Sequence, residues 1–181
     1  NTAGYQAEIF RGAVEAVARG QWEGAAALGL SKRIALLRVV LQNLLFPTGI
    51  FHQIDKGFTP REIPTRAVFQ LNSSEPFKGN LALDALRAEL VRDADAVAFV
   101  CVELSDNAAG GCPVSMQHLR ELKALLAPHS IALVLDATRV MENARFVIDT
   151  DAEFTGRSTW DVVRERLRER GLGVLQRGEL P

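Results

Sequence analysis

Asp136, Thr138 and Arg139 stand together at the end of an apolar run, Ile131-Ala132-Leu133-Val134-Leu135. A carboxylate, an alcohol and a guanidinium within four residues are chemically rich for the end of a buried-looking strand. In open α/β sheets the carboxyl end of a strand is where ligands bind, and an Asp there is costly to desolvate without a partner. Three partners suit it. One is the backbone of a following helix, with Asp136 as N-cap. Another is a metal ion, although no second carboxylate follows before Glu142. The third is the protonated ring nitrogen of a cofactor. A carboxylate held against a pyridinium keeps the ring charged, and a charged ring accepts electrons from a substrate carbanion.

A second polar group lies upstream, in Asn107-Ala108-Ala109-Gly110-Gly111. It reads either as a flexible strand-to-helix loop or as a place where backbone approaches a ligand closely while the Asn107 amide hydrogen-bonds it. Phe46 adjoins the turn Pro47-Thr48-Gly49. A phenyl ring on a loop at a ligand edge can stack on a flat ring, although most phenylalanines are core. His52 reads as solvated or core, and His118 and His129 as surface residues of a helix and a turn.

The elements that must carry these residues follow from periodicity. Residues 96–104 and 131–135 are near-continuous apolar runs, as expected of strands covered on both faces. Residues 81–93 place Leu83, Leu86, Leu90 and Val91 on one helical face. Residues 115–127 read as a helix with Ser115 as N-cap, and 141–148 and 158–170 as further helices. The charge alternation over 164–170 predicts a solvated helix face. Residues 66–71 alternate weakly and predict a strand, 46–49 a turn or loop, and 171–175 the start of another strand. Residues 7–18 carry a helical stripe. Residues 32–45 fit either a helix or a short strand. Strand, helix, strand, helix predicts a parallel sheet with right-handed crossovers. The expected architecture is therefore α/β, a three-layer, mostly parallel sheet flanked by helices. Residues 1–42 are expected as a helical N-terminal segment and 43–181 as the α/β domain.

The 181 residues carry a net charge of -1 and 48% hydrophobic residues. That balance fits a globular protein and implies neither nucleic acid nor an acidic membrane surface as partner. The stretch 34–51 is interrupted by Arg38, Gln42, Asn43 and Pro47, and a span needs roughly 20 mostly apolar residues, so no membrane span is expected. Two cysteines, Cys101 and Cys112, provide neither a disulfide framework nor a paired metal motif. The expectation is a reducing, cytoplasmic setting and no metal site.

Asn107-Ala108-Ala109-Gly110-Gly111-Cys112-Pro113-Val114-Ser115, followed by Asp136-Ala137-Thr138-Arg139-Val140-Met141-Glu142-Asn143-Ala144, resembles the tryptophanase and tyrosine phenol-lyase family. That family shows an N-x-A-G-G-Q-P-V-S loop and, at the same separation, an Asp-x-x-Arg-x-x-Glu-Asn-Ala segment. Pro76-Phe77-Lys78-Gly79-Asn80 is similar to the family's F-K-G turn. Asn43-Leu44-Leu45-Phe46 and Phe51-His52-Gln53 are similar to a further block just before it. The likeness runs from about Asn43 to Leu167.

The resemblance implies the large domain of a pyridoxal 5'-phosphate (PLP) enzyme of the aspartate-aminotransferase type. It implies a β-eliminating carbon–carbon lyase acting on an aromatic amino acid. Asp136 would pair with the PLP ring nitrogen, Asn107 and Arg139 would hydrogen-bond its phenolic oxygen, and Phe46 would stack on the ring. Thr138 acquires no role. An oligomer, or a complementing chain, is implied because the family builds sites across subunits.

The chain also departs from the pattern. The family's Q-G-R-G-A-E phosphate loop is replaced by Gly29-Leu30-Ser31-Lys32-Arg33, and Cys112 stands in place of a Gln. The family's Schiff-base lysine would fall near residues 173–181, which contain no lysine; the last one is Lys123. That lysine both anchors PLP and moves protons at the substrate α-carbon. No catalytic residue is therefore identified, and 1–181 is expected to be an incomplete, inactive lyase by itself. A degenerate, non-catalytic binding or interaction module of the same ancestry is the alternative. A nucleotide-binding domain is a third reading, resting on the strand–helix pattern alone, since no G-x-G-x-x-G or Walker loop is present.

Overall fold

The computed structural model describes residues 39–169 apart from Leu45 and Lys56, with backbone alone for 167–169. Four strands, β1 (Val39–Gln42), β2 (Thr59–Glu62), β3 (Val97–Glu103) and β4 (Ala132–Asp136), form one sheet in the order β2-β1-β3-β4. Every pairing is parallel, with Gln42 opposite Cys101 and Glu103 opposite Asp136. Helices supply the connections: α1 (Pro47–Asp55), α2 (Leu83–Asp93) and α3 (Met116–Leu126), followed by α4 (Val140–Thr150) and α5 (Thr159–Glu169). The strand order reverses between β1 and β3. Their carboxyl ends therefore open the crevice where doubly wound sheets take ligands.

Alternation along the strands divides the core. Leu41, Val100, Val102 and Leu133 face a large cluster with Leu86 and Leu90 of α2, Leu119, Leu122 and Leu126 of α3, Val147 of α4 and Val162 of α5. Val40 and Cys101 face the other way, against Ile50 of α1, Phe58, Phe99 and Val134. These are the helix–sheet–helix layers expected of the α/β fold, with the α1 side the more thinly covered among the described residues. Ser115 caps α3, its Oγ accepting from His118 N at 3.0 Å.

Several expectations change. Residues 66–71 form not a strand but a 3-10 turn, Arg66–Phe69, and a loop. The missing strand is β2, Thr-Pro-Arg-Glu, which lacks apolar alternation because it lies at the sheet edge, where Pro60 is tolerated. Pro47-Thr48-Gly49 opens α1 rather than a loop, since Pro suits a first helical turn. Val39–Gln42 belongs to the sheet, so the strand alternative holds there. The stripe over 7–18, the segment 29–33 and the strand expected at 171–175 lie outside the described residues.

His118 is buried rather than on the surface, and its Nε2 accepts from Leu81 N at 3.0 Å. Arg166 is buried rather than solvated. Its Nη2 donates to the Val114 carbonyl at 3.0 Å, and desolvation lowers its pKa to about 10. Charge alternation missed this because α5 turns one of its arginines inward onto the loop ahead of α3.

Candidate functional site

Three loops leave the carboxyl ends of β1, β3 and β4, and one run of hydrogen bonds joins them. Glu103, the last residue of β3, is 2% exposed. Its Oε2 accepts from Phe46 N at 3.3 Å in the loop after β1. Its Oε1 accepts from Asn107 N at 3.1 Å and Asn107 Nδ2 at 2.7 Å in the loop after β3. The Asn107 Oδ1 in turn accepts from Arg139 Nη1 at 3.1 Å, in the loop after β4. Arg139 Nε also meets Glu142 Oε1 at 3.4 Å.

The backbone makes room for this contact. Gly111 sits at φ +83°, and a Cβ there would stand 3.1 Å from Arg139 Nη1. Ser105, at φ 56°, turns the chain sharply just beyond β3.

Asp136 lies opposite Glu103 in the β3–β4 register. Its Oδ1 accepts from Thr138 N at 3.0 Å and Thr138 Oγ1 at 2.6 Å. Asp136 thus shapes a local turn and is not the N-cap of α4, a place taken by Arg139. Both bonds fall on one oxygen. Thr138, without a role in the sequence reading, is the residue that orients this carboxylate. Phe46 is 53% exposed on the β1 side of the rim.

Asn107, Arg139 and the Phe46 backbone are therefore joined through Glu103, with Asp136 alongside on the neighbouring strand. Glu103 was missed. Its signal was present in the sequence: a carboxylate interrupting an apolar run that otherwise reads as buried strand. Asn43 belongs to the Asn43–Phe46 block of the resemblance, which assigns it no function. It is buried, accepts from Glu103 N at 3.0 Å, and donates to the carbonyls of Glu103 at 3.1 Å and Gly79 at 3.0 Å. It thereby ties the end of β1 to β3 and to the turn before α2.

The rim is electrostatically loaded. Burial, with Asp136 nearby, raises the Glu103 pKa against the pull of the Asn107 and Phe46 amides. Burial pushes Asp106 up to about 7, opposed by amides of Ala109, Ala108 and Leu44. Burial, Asp136 and Glu103 together raise the Cys101 thiol, so it stays protonated as a small apolar group. Lys78 Nζ donates to the carbonyls of Gln70 and Leu71, at 3.0 and 3.5 Å. Among the described residues no three His, Cys, Asp or Glu side chains are placed to hold a metal ion, and no helix is long and apolar enough to cross a membrane.

The donor set fits the ring half of PLP: a carboxylate, an amide, a guanidinium and an exposed phenyl ring on adjacent loops of one sheet edge. The stretch that replaces the phosphate loop, 29–33, lies outside the described residues.

Comparison with known proteins gives the family. The family model described as Beta-eliminating lyase matches residues 35–167. Tyrosine phenol-lyase of Clostridium tetani is 34% identical over 160 residues, 87% of this chain and 34% of that protein. Tyrosine phenol-lyase of Pasteurella multocida is 35% identical over 127 residues, 69% of this chain and 28% of that protein. Tryptophanase of Salinibacter ruber is 40% identical over 94 residues, 52% of this chain and 20% of that protein. The chain spans about a third or less of the length of these relatives. With the motif loops meeting at one rim and the match covering most of the sheet, this chain belongs to the beta-eliminating lyase family.

Proposed function

We propose that this rim holds the ring of PLP and that the chain is the central part of the large domain of a carbon–carbon β-eliminating lyase acting on an aromatic amino acid. The observation that carries the reading is the Asn107–Arg139 hydrogen bond beside Asp136. It joins the two blocks most like the family at the strand ends where a ligand binds.

When bound, PLP supplies an electron sink for a substrate carbanion. Asp136 keeps a proton on the ring nitrogen, its orientation held by Thr138. Asn107 and Arg139 donate to the phenolic oxygen, and the Phe46 ring covers one face. The resemblance puts the proton-transferring lysine downstream of the Asp136 segment, where this sequence has none after Lys123; Lys78, nearest the rim motifs in sequence, is engaged by backbone carbonyls. In this reading the protein works in the cytoplasm as an oligomer or with a complementing chain.

Equilibrium dialysis of the 181-residue chain against PLP tests the proposal. The wild type is expected to retain the cofactor, and Asp136→Asn to weaken retention at least about tenfold, the scale of one charge-assisted hydrogen bond. No retention, or equal retention by the variant, overturns it. Retention without pyruvate release from tyrosine or tryptophan, even after addition of a lysine-bearing segment, selects the non-catalytic binding module instead.

A further inference from the structure

We propose that Glu103 is the positioning residue of the rim: by accepting N–H groups from two separate loops it fixes the Asn107 amide and Phe46 relative to Asp136. The inference rests on the reading of the rim as a PLP site and assigns a role to a residue outside its ligand set.

The topology creates the need. The loop after β1 leads into α1 on one face of the sheet, and the loop after β3 leads towards α3 on the other. Such loops diverge, and chain connectivity does not fix their separation. The Glu103 carboxylate bridges them, with Phe46 N on Oε2 and both nitrogens of Asn107 on Oε1.

The bridge also determines which way the Asn107 amide faces. An Asn amide has two N–H hydrogens and one carbonyl oxygen. Glu103 takes one N–H, and Arg139 occupies the oxygen. The second N–H is left as the donor available to a ligand oxygen, and its NH2 group is polarised by a charged acceptor. A neutral amide at 103 would turn an NH2 group towards one of these donors. It would leave either Phe46 or Asn107 without its acceptor.

A carboxylate that merely stabilised the fold would act independently of Asn107, so a double-mutant cycle separates the roles. PLP affinity is measured by equilibrium dialysis for the full chain as wild type, Glu103→Gln, Asn107→Ala and the double variant, with thermal unfolding confirming that each folds. Glu103→Gln is expected to weaken PLP binding about tenfold in the wild-type background, the scale of a hydrogen bond to a charged group. Its effect in the Asn107→Ala background is expected to be smaller by at least about threefold, the part that remains being the Phe46 contact. Equal loss in both backgrounds, or none in either, overturns the proposal.

A second readout needs no cofactor. The side-chain 15N–1H signals of Asn107, assigned by their loss in Asn107→Ala, should stand apart from those of solvated asparagines and move to the solvated position in Glu103→Gln. Unmoved signals overturn the role. If the wild type binds no PLP, the functional reading fails, while these signals still decide whether Glu103 orients the amide. Should Glu103→Gln not fold, Glu103→Asp, one methylene too short to reach both loops, carries the same comparisons.

Discussion

His118 and Asp106 titrate in opposite senses within the same fold. Desolvation lowers the His118 pKa from 6.5 to about 4, with Glu121 pulling it weakly the other way. Between those values the unfolded chain binds the proton and the folded one does not, so the His118 contribution falls as pH drops from about 6.5 to 4. Burial raises Asp106 from 3.8 to about 7, with Glu103 adding to the rise. There the folded chain binds the proton first, so the Asp106 contribution falls as pH climbs from about 4 to 7. At about 1.4 kcal/mol per pKa unit, the effects reach at most about 3.5 kcal/mol for His118 and about 4.5 kcal/mol for Asp106. In the wild type they offset one another. The charged surface is common to all variants and cancels in the differences, while Glu103, relieved of the Asp106 charge in Asp106→Asn, changes in the same sense as that variant. Urea midpoints between pH 4 and 7 are therefore expected to fall with rising pH in His118→Gln and to rise in Asp106→Asn, relative to wild type. Parallel profiles for all three proteins would refute the assignment.

At the scale of elements, the rim depends on a clasp between the turn 76–80 and the loop 112–115. Gly79 N donates to the Pro113 carbonyl at 3.0 Å, and Asn80 Oδ1 accepts from Ser115 N at 3.0 Å. A Cβ on Gly79 would stand 2.3 Å from the Cys112 carbonyl oxygen and 2.9 Å from that of Pro113. Both are backbone atoms that cannot swing aside. Gly79→Ala is thus expected to push the clasp apart and disturb the Asn43 bond to the Gly79 carbonyl. A cost of about 2–3 kcal/mol follows, as for overpacking in a tight site. A variant that unfolds within about 0.5 kcal/mol of wild type would show that the clasp yields easily.

β3, β4 and the helices behind them were readable because burial on both faces leaves long apolar runs. β2 and α1 were not, since an edge strand of Thr-Pro-Arg-Glu and a helix opening on Pro-Thr-Gly carry weak local signals. At the rim, Asp136, Asn107 and Arg139 stood out because polar side chains ended apolar strands or lay in glycine-rich loops. Glu103 also ended an apolar strand but showed no partner, and Asn43 and His118 carried no such signal. Their functions come from partners 57, 60 and 37 residues away, and such pairings exist only once the sheet has assembled.

At the scale of the molecule, α1 packs Ile50 on the sheet with Val40 and Cys101 and leaves Phe51 and Ile54 69% and 55% exposed. Burying a side chain of that size contributes about 1.5–3 kcal/mol. A helix that adjoins the candidate site and leaves two such groups in water has a reason to meet a second copy of the chain. Sedimentation of the full chain is therefore expected to give a mass above that of a monomer and rising with concentration. Phe51→Lys with Ile54→Lys is expected to shift the distribution to monomer. Because both side chains are exposed, the unfolding free energy of the dilute protein should move by no more than about 0.5 kcal/mol. If the wild type sediments as one monomeric species, or the double variant associates as before, the exposed part of α1 is not where copies meet, and the oligomer implied by the resemblance must be built elsewhere.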